Sequence, residues 1–362
     1  MKLLHSADLH LDAKMETGLS AAAARERRVE LLITFSRLVE LALEQKADAM
    51  LLCGDVFDTA RVSEKTRRFV GDTVAAHPQL TFLYVAGNHD ADVPPLFPGD
   101  TAPDNWFAFP DDGWASVTLG DRVQISGTCA LTSPGIFDRL PSAPADCFHV
   151  VMLHGEVVRG EEIGADRIPL KLLQNRGIDY LALGHEHAVR VETLDRRGLW
   201  AYAGCPEGRG FDECGTKGCL LLDTDAPIES RITFIPTGKR TLHEIPVKIE
   251  DCAGFSDVLE AVKQALQGLP PEDMVKVVLT GNVPPELPRD TLHIRQWLKD
   301  RFYLCRVKDE CRLAIRPEEY QYDVSLKGEF IRTVLASRMS EQQKQRTIEY
   351  GLRALRGEEV DA

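Results

Sequence analysis

A chain of 362 residues with 44% hydrophobic and 27% charged residues has ordinary globular usage, and at roughly 150 residues per domain its length predicts about two domains. Its apolar runs fall short of the roughly 18 residues a membrane span needs, and nine scattered cysteines without a CxxC pair argue against a disulfide framework or a zinc knuckle. With 56 acids against 43 bases the net charge is −13, a field that disfavours charge-driven wrapping of nucleic acid while permitting local capture.

The opening MKLLHSADLHLD has no small-residue cleavage site behind its apolar stretch and reads as the start of a cytoplasmic protein. KLLHSADLH is a buried strand feeding a loop. Residues 20–46 follow as an amphipathic helix with Leu31, Leu32, Phe35, Leu38, Val39 and Ala42 on one face. ADAMLLCGD is a second strand, 63–76 a weaker helix, and LTFLYVAGNHD a third strand. FHVVMLHGE and IDYLALGHEH are further strands, with a helix at 167–176 between them that ends before Gly177. Hairpins follow in VETLDRRGLWAYAG and in GCLLLD with RITFIPT. This alternation predicts an α/β core with mixed sheets. The pattern breaks at PTGKR and resumes as a βαβαβ-like unit, so the expected division is a large α/β domain at 1–240, a small α/β domain at 241–322 and a C-terminal helical segment at 323–362. Ser340 with Gln343 forms a capping box for the last helix.

The five strands stop at polar clusters: Asp8 and His10; Gly54 and Asp55; Gly87, Asn88, His89 and Asp90; His154; and His185 and His187. Ligands collect in the crevice outside the carboxyl ends of strands in α/β sheets. Carboxylate, imidazole and amide donors without a thiolate suit Mn²⁺, Fe or Zn²⁺. Two such ions about 3.5–4 Å apart need an anionic bridge, and Asp55, after a glycine that permits close backbone approach, is the natural one. His5, His77, His149, His243 and His293 read as core or surface histidines. Cys205, Cys214 and Cys219 fit no zinc spacing. Arg25, Arg27, Arg28, Arg67, Arg68, Arg159, Arg196, Arg197 and Lys217 read first as solvated faces and second as a phosphate track.

Taken in this order, DxH, GDxxD, GNHD, a lone His and GHxH resemble the calcineurin-like metallophosphoesterase superfamily over residues 1 to about 235. The longer opening HSADLHLDA, the ending YAGCPEG, the small α/β domain and SLKGEFIR further resemble the bacterial SbcD and YhaO branch of DNA-repair nucleases. The resemblance implies two mixed β-sheets sandwiched between helices. It also implies two divalent ions, Mn²⁺ foremost, one held by Asp8, His10, Asp55 and His187 and the other by Asp55, Asn88, His154 and His185. His89 would then face the scissile phosphate as a catalytic group, with Asp90 orienting it by a hydrogen bond. The implied activity is hydrolysis of DNA phosphodiesters, as exonuclease or endonuclease, by a homodimeric subunit working with an SMC-like ATPase of the SbcC type. A small-phosphoester hydrolase with the same ions, and a scaffold that binds DNA or the ATPase, are the rival readings. Ala7, Asp12, Asp58 and Cys205 depart from the common pattern of the branch, and none is an implied ligand.

Overall fold

The computed structural model describes residues 1–355 apart from 16–17, 60, 161, 163, 165 and 315–316. Positions 356–362 of the expected terminal segment lie outside the described residues. The chain forms two compact units, Met1–Thr241 and a second from Leu242 onward.

The first unit is built on two six-stranded mixed sheets. One has the order Ile232–Pro236, Gly218–Asp223, Lys2–Ser6, Ala49–Cys53, Thr81–Val85, Trp106–Ala108. Its last four strands run parallel and the first two pair antiparallel. The other has the order Arg190–Thr193, Leu199–Tyr202, Tyr180–Gly184, Phe148–His154, Val123–Gly127, Ala115–Leu119, parallel in the middle and antiparallel at both edges.

Successive side chains of a strand point to opposite faces, and strands covered on both sides read as nearly continuous apolar runs. That is why these segments lack an alternating pattern. Leu3, Leu51, Leu83 and Val85 meet Val150, Met152, Tyr180 and Ala182 between the sheets. Leu4, Met50, Leu52 and Phe82 face the opposite way, onto the helix Ala21–Glu44, whose Leu31, Phe35, Leu38 and Val39 are buried, and onto Val70 and Val74 of the helix Glu64–Ala76. Ser20 and Ser63 cap these helices by accepting the N–H groups of Ala23 and Thr66.

One expectation needs correction. The helix expected at 167–176 is a short strand, Arg167–Pro169, paired with Glu156–Val158, followed by one helical turn at Leu170–Leu173. Pro169 stands at the junction in extended backbone, and Gln174 returns to extended backbone after that single turn. Residues 106–127 also hold three strands that the helix-and-run pattern does not reveal.

The second unit has a parallel sheet of Leu242–Lys248, Met274–Thr280 and Leu304–Asp309 with helices Phe255–Ala265 and Thr291–Lys299, the βαβαβ order read from sequence. Helices Leu326–Ala336 and Glu341–Leu355 follow. Ser340 and Gln343 exchange hydrogen bonds as a capping box. Ile348 and Leu352 of the last helix are buried with Ile331 and Val334, so that apolar stripe packs within its own unit. Among the described residues no helix is long and apolar enough to cross a membrane.

Arg27 does not join a phosphate track. It is fully buried on the long helix, where it pairs with Glu30 and, at 3.1 Å, with Glu207. Glu30 also receives Arg240 at 2.7 Å and Lys239 at 2.8 Å. Burial alone would raise the Glu30 carboxyl, but the hydrogen bonds from Arg240 and Lys239 and the charge of Arg27 hold it at about 2. Its pKa is depressed by folding, so its stabilisation is complete above the unfolded value near 4.5 and fades as pH falls toward 2. Removing one partner of a buried ion pair costs roughly 3–5 kcal/mol. We predict that Glu30→Gln lowers unfolding free energy by about 3 kcal/mol in urea titrations at pH 7, and that its gap from wild type narrows below pH 4.5. An equal midpoint at pH 7 would refute this role.

Candidate metal centre

Backbone geometry gathers the polar clusters. Asp8, His10, Asp55 and His185 all have positive φ, at 54°, 44°, 50° and 113°, a region that L-residues occupy at a cost and that concentrates at functional sites. Glycine is required at two neighbouring positions. A Cβ on Gly54 would lie 2.2 Å from His154 Nδ1, and one on Gly87 would lie 2.2 Å from Asp55 Oδ1. These approaches let the loops after three strands close on one another.

Three overlapping groups of donors result. Asp8, Asp55 and His154 each offer an atom within 4.8 Å of the others, as do Asp8, His10 and His187, and His10, Asp58 and His89. Asp55 Oδ2 stands 3.4 Å from His154 Nε2 and 3.8 Å from His10 Nε2. Asn88 Oδ1 is 3.0 Å from His154 Nε2. His185 donates its backbone N–H to Asp8 at 3.0 and 3.1 Å, while its ring stands edge-on to His154 with centroids 5.4 Å apart. Its ring nitrogens join none of the three groups among the described residues.

The tautomers decide whether a cation fits. His154 Nδ1 donates to the Cys53 carbonyl at 2.9 Å, and His187 Nδ1 meets Glu213 Oε1 at 2.7 Å. His10 Nδ1 faces Asp58 Oδ1 at 3.2 Å. Carbonyl oxygens only accept, so His154 Nδ1 carries a proton and its Nε2, once neutral, presents a lone pair to the interior; His187 does the same when its Nδ1 donates to Glu213 rather than accepting from Arg209, which stands 3.2 Å away. His10 Nε2 and His187 Nε2 lie only 3.2 Å apart. At that separation the two nitrogens either share one proton or, both neutral, turn their lone pairs toward a common cation.

The electrostatics agree. Burial lifts the Asp8 carboxyl to about 6, against the pull of His154 and His187. Burial would also raise Asp55, but the hydrogen bond and charge of His154 bring it to about 2, and the same pair holds His154 at about 9 despite its own desolvation. Protonated His154 thus supplies positive charge to the carboxylates beside it, the role a bound cation takes over.

Sequence reasoning missed the outer layer. Arg209 bridges Asp58 at 3.2 Å and Glu213 at 2.7 Å, so one guanidinium ties together the carboxylates behind His10 and His187. Burial of Glu213 would raise its carboxyl, but hydrogen bonds from His187 and Arg209 hold it well below the ordinary range. Lys217, one of the basic candidates for a phosphate track, is buried and donates to the His187 carbonyl at 2.9 Å. Arg197 is also occupied, pairing with Asp179 at 2.7 Å. His89 is exposed and donates Nδ1–H to the Asp58 carbonyl at 2.7 Å. Asp90 does not orient His89. Its buried carboxylate accepts the N–H groups of Val56, Phe57 and Gly87 at 3.1, 2.9 and 3.2 Å, which fixes the two loops that carry Asp55 and Asn88. His5 is a core residue as expected, against Tyr180 at 2.7 Å, and burial lowers it to about 3.

The calcineurin-like phosphoesterase family matches residues 1–189, more than half the chain and every position in this cluster up to His187. The chain belongs to that family. Members of the family bind divalent metal, and the Asp and His groups of the cluster are suited to hold it. Relatives include the DNA double-strand break repair protein Mre11 of Aeropyrum pernix, 26% identical over 69% of this chain and 64% of its own length. The uncharacterized metallophosphoesterase YhaO of Bacillus subtilis is 24% identical over 81% of this chain and 75% of its own. The SbcD component of the SbcCD nuclease of Rhodobacter capsulatus is 35% identical over 25% of this chain and 22% of its own. The chain thus spans less than two thirds of the Aeropyrum protein.

Ligands must be deprotonated to bind metal. At pH 7 binding has to displace the proton of His154, and below about pH 6 that of Asp8 as well. We predict that Mn²⁺ affinity rises from pH 5 to 8, with proton release visible as a buffer-dependent enthalpy in calorimetry. An affinity flat with pH would contradict this ligand set. Glu213→Gln should weaken at least one ion about tenfold, as loss of a carboxylate behind a ligating histidine does, in a direct metal titration.

Proposed function

We propose that this chain is a two-metal phosphodiesterase that hydrolyses DNA, the nuclease subunit of a cytoplasmic DNA-repair assembly. The observation that carries the reading is the position of Asp55 Oδ2 between His154 Nε2 and His10 Nε2, at 3.4 and 3.8 Å, where one carboxylate can serve two ions. Asp8, His10, Asp55 and His187 would hold one ion, and Asp55, Asn88, His154 and His185 the other, with Mn²⁺ the favoured metal for these hard and borderline donors. When bound, the ions supply an activated water and neutralise charge on the phosphate. The Nδ1 contacts to Cys53, Asp58 and Glu213 keep three imidazoles turned toward them.

His89 is not one of these ligands, although its ring stands edge-on to His10 with centroids 4.8 Å apart. With Nδ1–H committed to the Asp58 carbonyl, Nε2 is the atom that carries a proton to the departing oxygen. The names of the Mre11 and SbcCD relatives support DNA as the substrate and a companion subunit as partner; on this reading the DNA is met through its backbone and ends rather than its base edges, the partner is an SMC-like ATPase of the SbcC type, and the working form is a homodimer.

His89→Ala is expected to keep both ions and to lose about 10²–10⁴ in turnover, the usual contribution of a positioned acid. Asp55→Asn is expected to lose both ions and all activity. Elemental analysis of the two proteins, beside Mn²⁺-dependent digestion of end-labelled DNA, checks both. An Asp55→Asn protein that keeps a full pair of ions contradicts the bridge. Cleavage of bis(4-nitrophenyl) phosphate with DNA untouched would replace DNA by a small phosphoester.

A further inference from the structure

Next to the cluster lies a cavity of about 660 Å³ with Asn88 and His154 in its wall. The rest of the wall is largely apolar and aromatic, with Phe57, Tyr84, Leu96, Phe97, Trp106 and Phe109. Tyr84 and Trp106 stack with centroids 5.4 Å apart and planes 27° from parallel, and Phe97 stands edge-on to Trp106 at 5.7 Å. The volume is that of a small-molecule pocket, roughly 300–1,000 Å³.

Charge narrows the occupant. Among the described lining residues there is no lysine or arginine, and the carboxylates are Asp90, Asp111 and Asp166. Asp90 is engaged with backbone N–H groups, which leaves Asp111 and Asp166 as acceptors. A phosphate is repelled from such a chamber and is attracted only at its metal-binding wall. A flat, neutral, π-faced group joined to that phosphate, with amino hydrogens at its edge, matches both walls.

We infer that this cavity is a nucleobase subsite, taking the base of the nucleotide whose phosphate sits at the metal centre. The inference rests on the phosphodiesterase reading, because it places that phosphate at the ions. Bases stack on aromatic faces regardless of sequence, and carboxylate acceptors favour bases with amino or imino hydrogens, guanine above all. A base can enter only after leaving its own stack, as in other enzymes that act on extruded nucleotides. The subsite therefore selects single-stranded or frayed ends over intact duplex.

The test is binding of 2′-deoxyguanosine 5′-monophosphate and of 2-deoxyribose 5-phosphate to the full-length Mn²⁺-loaded protein, by calorimetry. The nucleotide should bind at least tenfold more tightly. Thr132 and Ala108 line the cavity from exposed positions outside the donor cluster, so Thr132→Trp and Ala108→Trp fill it with little risk to folding. Either substitution should erase the advantage of the nucleotide and leave the sugar phosphate unchanged. Equal affinity of the two ligands for wild type, or a preference that survives both substitutions, overturns the subsite. Hydrolysis of bis(4-nitrophenyl) phosphate reads the chemistry separately. Its absence refutes the phosphodiesterase reading, while the binding comparison still decides the cavity.

Discussion

Two carboxylates, Asp8 and Asp55, are buried at strand ends where the two sheets of the first unit meet, and the surrounding structure answers the cost of that charge. An isolated buried carboxylate would simply take up a proton, and Asp8 is already drawn partway, to about 6. Asp55 stays ionised because His154 and the His89 N–H reach it. The imidazoles are turned inward by acceptors behind them, and those acceptors are neutralised in turn by Arg209. Each layer offsets the charge of the one inside it, and the innermost remains short of positive charge.

The same layers explain the backbone. Left-handed conformations at Asp8, His10, Asp55 and His185 are tolerated because the loops are held on several sides. Asp90 grips Val56, Phe57 and Gly87, and the backbone N–H groups of Asp8 and His10 donate to the carbonyls of Gly54 and Asp55 at 3.0 and 2.9 Å. Asp90 thus holds the loops of the site through their backbone. The Asp90 carboxylate is buried, whereas the adjacent His89 is exposed and keeps its ring edge-on to His10.

Sequence was informative where function confines residue type to short spacing. The five strands that end in Asp, His and Asn were legible because each is an apolar run followed at once by a turn and a polar cluster. The outer layer was not legible, since Arg209 lies 151 residues from Asp58 and no short spacing links them. Arg27 misled for a related reason. Among charged neighbours on a helix it looks solvated, and only the return of Glu207 and Arg240 makes it a core residue. Trp106–Ala108 and Ala115–Leu119 are edge strands, short and partly exposed, and Val123–Gly127 beside the latter is buried; ASVTL and VQISG alternate apolar with polar residues, a period-2 signal that a reading based on continuous apolar runs passes over.

On the proposed reading, the acidity of the chain and its polyanionic substrate are compatible. Around the centre stand Asp8, Asp55, Asp58 and Glu213, the last two paired with the guanidinium of Arg209, while Lys217 is held by the His187 carbonyl and Arg197 by Asp179. Without metal such a site repels phosphate. Two divalent ions would more than cancel those four carboxylates together with Arg209, so the attraction for phosphate is confined to the place where the chemistry occurs. A field generated by bound ions rather than by surface lysines is short-ranged in physiological salt, where charges separated by more than about 8 Å are largely screened. Substrate capture then favours contact at the centre itself over long-range adhesion along a duplex, which suits a protein that meets DNA at ends and at unpaired nucleotides.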